Sequence, residues 1–98
     1  MQSLTALSDP TRQRIIEMLS TGALSSGDIA RQFAMTAPAV SQHLKTLREA
    51  RLVRVRVEAQ KRIYELDPRG VGELTEWITR VRSFWSSRLD ALEEELRK

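Results

Sequence analysis

Ser41, Gln42 and Lys45 are spaced to share one side of a helix, and each ends in a group able to bond a nucleobase edge or a phosphate. Gln42 can donate to adenine N7 while accepting from N6, a paired contact. Ser41 and Thr36 can bond either a base or a phosphate, and Lys45 can reach a guanine edge or a phosphate oxygen. Ala37 and Pro38 lie on the same outward side, and the small residues at 37 and 39 let the helix backbone come close to DNA. Opposite them, Val40, Leu44 and Leu47 recur at helical spacing and are expected to face a core. A second set of cations, Arg54, Arg56, Lys61 and Arg62, clusters on and around one hairpin tip. Backbone phosphates or a narrow minor groove would attract such a tip. The plainer reading is an edge strand kept soluble by charge.

Other chemistry has little to work with. The chain has no cysteine and a single histidine, His43. That removes disulfides, thiolate metal sites and cysteine nucleophiles together. His43 falls at the edge of the buried stripe, so packing or a positioning hydrogen bond is its expected role, with phosphate contact as the alternative. No nucleophile or second soft ligand lies nearby in sequence, and no carboxylate pair converges, so an enzyme is not expected.

These side chains need elements to hold them. Residues 26–48 read as two short helices joined by a tight turn at Ala34-Met35, with Ile29, Ala30 and Phe33 as the inner side of the first. Ser25 with Asp28 resembles a capping box, and Thr36 can cap the next helix, with Pro38 tolerated in its first turn. Upstream, Leu4 and Leu7 mark a short helix, and Ser8-Asp9-Pro10 starts another whose apolar side is Ile15, Ile16, Met18 and Leu19. Downstream, Val53, Val55 and Val57 alternate with Arg54 and Arg56 as a half-buried strand. A turn over 58–61 leads to a returning strand at 62–66, which makes 53–66 a wing.

Asp67-Pro68 opens a helix of roughly thirty residues, about 45 Å long. Leu74, Ile78, Val81, Trp85, Leu89, Leu92 and Leu96 step along it by three or four, and Trp77 and Phe84 broaden the stripe. A small body cannot cover so long an apolar face, and a two-fold dimer would.

Ninety-eight residues favour one domain, here 1–98, with 41% hydrophobic residues, enough for a globular core. From Pro10 to Tyr64 there are ten Lys/Arg and four Asp/Glu, against six and nine elsewhere. A basic middle in a mildly acidic remainder is the footprint of a polyanion-binding face. No signal-peptide run and no span of about 18 apolar residues is visible, which favours a cytoplasmic protein.

LSDPTRQRIIEML, IARQFAMTAPAVSQHLKTLREARLV and KRIYELDP together resemble the ArsR/SmtB family of winged helix-turn-helix repressors, over residues 4 to about 68. The resemblance implies a mostly α fold with a small β-hairpin and a long C-terminal dimerisation helix spanning 68–98. It implies a homodimer joined through the first and last helices, hence through Leu4, Leu7, Leu74, Trp77, Ile78, Val81, Phe84, Trp85, Leu89 and Leu92. It further implies binding to a palindromic operator, repression by occlusion, and groove contacts from Ser41, Gln42 and Lys45. Metal-sensing members carry thiolates where Ser25 and Gly27 stand, and others use His on the last helix, which has none here. No cofactor or metal is therefore expected. The chain is left constitutive, responsive to another effector, or governed by its own abundance. The family also favours glycine where Arg51 stands and often near Ala59 and Gln60, so the helix ending and wing tip are expected to differ. The alternative reading is a winged-helix protein-interaction module that does not bind DNA.

Overall fold

A computed structural model describes residues 1–98. Four of its five helices begin on a side-chain cap. Asp9 accepts from the Arg12 N–H at the head of α2 (Pro10–Leu19), and Ser25 from the Asp28 N–H ahead of α3 (Ser26–Ala30). Thr36 accepts from the Ala39 N–H ahead of α4 (Ala37–Glu49), and Asp67 from the Arg69 N–H ahead of α5 (Pro68–Leu96). Each such cap typically contributes about 0.5–2 kcal/mol by satisfying an orphan backbone donor. The first helix, α1 (Gln2–Ala6), lacks a side-chain cap. Its buried side is Ser3 and Ala6, while Leu4 is exposed and Leu7 half-buried.

The core gathers Ile15 and Leu19 of α2, Ile29 of α3, and Val40, Leu44 and Leu47 of α4. The expected apolar stripe of α4 is therefore its buried side. The helix before the turn is shorter than its sequence pattern predicts. It ends at Ala30 rather than running through Phe33. Gln32 and Phe33 donate instead to Ile29 and Ala30, tightening the last turn into i→i+3 bonds. Phe33 still packs against the core from this turn.

Helix α4 stops without glycine. Arg51 takes the left-handed conformation (φ 59°), Arg51 N–H donates to Arg48 and Leu52 N–H donates to Leu47. Buried Leu47 and Leu52 complete the apolar contact of this C-terminal motif. The chain then forms β2 (Val53–Glu58) and β3 (Lys61–Leu66), joined through Ala59 and Gln60 at φ 49° and 67°. Positive φ at both central residues defines the two-residue turn that matches strand twist. It is tighter than the turn expected over 58–61. At both places the glycine-type backbone is retained, so the anticipated departure in shape is a conformational strain instead.

A third strand, β1 (Leu24–Ser25), was not legible as a strand and pairs antiparallel with β3, giving the order β1-β3-β2. Helix α5 docks through Asp67 N–H to Leu52 O and Gly70 N–H to Arg51 O, both 2.9 Å. Gly70 is the only buried residue of α5, and a Cβ there would lie 2.5 Å from the Arg51 carbonyl carbon. Val71 and Leu74 pack on the core, after which Ile78, Phe84, Trp85, Leu89, Leu92 and Leu96 are exposed. Trp77 and Val81 are half-buried. No helix is long and apolar enough to cross a membrane.

Candidate nucleic-acid interface

Thr36, Ala37, Pro38, Ser41, Gln42 and Lys45 are all exposed on the side of α4 opposite its buried stripe. The Thr36 hydroxyl oxygen is engaged as the cap, leaving its hydrogen free to donate outward. The pose of α4 is set from behind by His43. Its Nδ1 lies 3.2 Å from the Arg12 guanidinium Nη1 and 3.9 Å from an Asp9 carboxylate oxygen. A guanidinium only donates, so His43 Nδ1 is the acceptor in this contact. Arg12 Nε also donates to the Ala6 carbonyl, so one side chain ties the end of α1 to α4. The Asp9 carboxyl is held below its usual range, chiefly by the Arg12 backbone N–H. His43 thus links α4 to α2 from the edge of the buried stripe.

The wing divides its cations between two faces. Cross-strand pairs Val55↔Tyr64 and Val57↔Arg62 share the face turned toward the core, while Arg54↔Glu65 and Arg56↔Ile63 share the other. Arg62 and Tyr64 consequently line a cleft of about 310 Å³ with Ser26, Ser41, Lys45 and Arg48. Lys61 and Arg62 also flank a second hollow of about 410 Å³, beside Ser25, Gly27 and Arg31 at the start of α3. Lys45 and Arg48 of α4 and Lys61 and Arg62 of the wing form no ion pair, whereas Arg54 and Arg56 do. Arg54 Nε donates to Glu65 at 3.1 Å, and Arg56 reaches Glu65 at 3.1 Å and Glu58 at 3.3 Å. The four wing cations grouped by the sequence are therefore unequal: two are free at the tip and two are engaged with carboxylates on the outer face.

Arg48 and Tyr64 line the same cleft, although the sequence did not group them with Ser41 and Lys45. Arg48 had a readable signal, since Ser41, Lys45 and Arg48 step by four and three along one side of α4. Tyr64 had none, because only the strand register brings it there.

The thiolate positions of metal-sensing relatives do not fit a metal in this chain. Ser25 Oγ is committed to the Asp28 N–H, and Gly27 has no side chain. The Asp28 carboxyl is lowered, first by the Ser25 hydroxyl and then by Arg31, with which it forms an ion pair. No group of three or more His, Cys, Asp or Glu side chains is placed to hold an ion.

Residues 9–55 match the family described as bacterial regulatory protein, arsR family. The chain is 45% identical over 84 residues to the HTH-type transcriptional regulator Rv2034 of Mycobacterium tuberculosis, covering 86% of this chain and 76% of that protein. The chain belongs to the ArsR family. A further relative is the transcriptional repressor SdpR of Bacillus subtilis, 33% identical over 74% of this chain and 81% of its own length. Among solved structures, one described as a "possible transcriptional regulator for arsenical resistance" superposes with a TM-score of 0.77 at 35% identity, covering 97% of this chain and 96% of that one. The winged helix-turn-helix fold with its long last helix is the ArsR-family fold. Family and relatives are transcriptional regulators.

Proposed function

We propose that this ArsR-family protein is a homodimeric, sequence-specific transcriptional repressor that occludes a palindromic operator. One observation carries the reading: Ser41, Gln42 and Lys45 stand exposed on α4, and the free wing cation Arg62 shares a cleft with two of them. A helix in the major groove presents base-reading side chains outward and keeps its apolar side on the body, which is the arrangement of α4. Gln42 reads adenine through its paired amide, Ser41 and Lys45 add base or phosphate bonds, and Lys61 and Arg62 supply sequence-independent attraction. Repression is supported by the likeness to SdpR, a transcriptional repressor. Dimerisation is supported by the bare apolar stripe of α5.

Selection of binding sites from random duplexes with the purified chain tests the whole reading, giving operator, symmetry and spacing together. On the selected operator, Gln42→Ala is expected to lose about 1–3 kcal/mol at one base position and to relax preference there. Equal losses on operator and random DNA would remove Gln42 from base reading.

A further inference from the structure

The geometry points to a seat for one backbone phosphate of duplex DNA in the cleft between α4 and β3, held by Lys45, Arg48, Arg62 and the hydroxyl of Tyr64. The inference rests on the DNA-binding reading and deepens it.

Three cations from two elements converge on this cleft, and no carboxylate lines it. Mutual repulsion makes such a grouping unfavourable in the free protein, and an anion between them would reverse the sign of the interaction. The hydroxyls that complete the lining, Ser26, Ser41 and Tyr64, are able to donate. Tyr64 is the most telling. Its ring belongs to the core at 6% exposure, where phenylalanine would pack as well. Its hydroxyl makes no hydrogen bond within the chain, yet it is absent from the sealed, unpartnered polar atoms, of which Ser3 Oγ is the only one. It therefore keeps access to solvent, and a nearly buried tyrosine hydroxyl ordinarily finds a partner.

The position selects a phosphodiester over other anions. Helix α4 enters the major groove in the proposed docking, and the wing reaches for the neighbouring minor groove. The ridge between two grooves is a sugar–phosphate strand. A cleft between reading helix and wing straddles that ridge, so the anion that meets it is a backbone phosphate. Such a contact sets the register of α4 on the duplex and reads no base.

The test uses the full chain, its selected operator and an unrelated duplex of equal length. Arg48→Gln removes an exposed charge, and Tyr64→Phe removes one oxygen while keeping the ring; thermal melts of both establish that they fold. Each variant is expected to bind both duplexes about tenfold more weakly. The salt dependence of Arg48→Gln should be shallower by about one in log–log slope. Scanning the operator with single neutral methylphosphonates should find one position per half-site that weakens the wild type but leaves Arg48→Gln unchanged. Wild-type affinity in both variants would overturn the seat, as would a loss confined to the operator. Saturable micromolar binding of inorganic phosphate with unchanged DNA affinity would overturn it in favour of a small-anion site. A wild-type chain that binds no duplex at all would instead defeat the DNA-binding reading itself.

Discussion

Arg51 and Gly70 meet where the end of α4 packs against the start of α5, and both places favour glycine though only one has it. Arg51 holds a left-handed φ of 59°, and its carbonyl accepts from Gly70 N–H at 2.9 Å. A side chain in that conformation costs about 1–2 kcal/mol relative to glycine. Arg51→Gly is expected to raise the denaturation midpoint by the equivalent of about 1 kcal/mol. A lower midpoint would show that the Arg51 stem contributes more packing than its conformation costs. Gly70→Ala should act oppositely, because its Cβ would strike main chain that cannot swing aside. A loss of about 1–3 kcal/mol in urea denaturation is expected, and a neutral result would mean that α5 re-docks freely. Three residues before Gly70, Asp67 is buried and its carboxyl is lowered from 3.8 to about 2 by the Arg69 guanidinium, then by the Arg69 backbone N–H, against the opposing effect of burial. A depressed native pKa contributes stability above the unfolded value, and that contribution fades as pH falls through the native one. Wild type should thus lose more stability between pH 5 and about pH 2 than Asp67→Asn, which still caps the helix. Parallel pH profiles for the two would sink the assignment.

The wing shows how an element can carry more charge than it offers. Arg54 and Arg56 already meet Glu65, and Arg56 also meets Glu58, while Lys61 and Arg62 are free. Arg62→Ala is expected to flatten the log–log salt slope of DNA binding by about one. Arg56→Ala should change it by less, because Glu65 and Glu58 already neutralise Arg56 and it has less charge to offer a phosphate. Fluorescence anisotropy over a salt series separates the two, and equal slopes would mean that DNA breaks the carboxylate pairs. The sequence revealed much of this region and hid the rest for identifiable reasons. Caps at Asp9, Ser25, Thr36 and Asp67 act within three residues of themselves, so their positions were readable. The apolar period of α4 was equally local, and it placed Ser41, Gln42 and Lys45 outward. Strand β1 is two residues long and pairs with residues 63 and 64, too short for any period and too distant for any local signal. The Arg54–Glu65 pairing depends on a two-residue turn that Ala59 and Gln60 disguise, since asparagine and glycine are its usual marks. The cleft is a tertiary product of that same register.

At the scale of the molecule, the protomer measures 64 × 27 × 22 Å, an elongated form for 98 residues, with α5 as its long arm. Phe84, Trp85, Leu89 and Leu92 are each more than half exposed along that arm. An apolar face of this extent marks an interface, and a self-complementary pairing of α5 and α1, including exposed Leu4, would cover it. Sedimentation at micromolar concentration is expected to give a dimer, and Trp85→Glu to give monomers with weakened operator affinity. A stable wild-type monomer would refute the pairing. With two copies joined in this way, resistance to heat and to proteases would follow protein concentration by mass action. A newly made protomer that meets no sister would stay underdressed along α5 and be the first chain degraded. Below a certain stock the regulator would erode faster than it is replenished, so the bare arm would convert a gradual fall in synthesis into an abrupt release of whatever the pair holds.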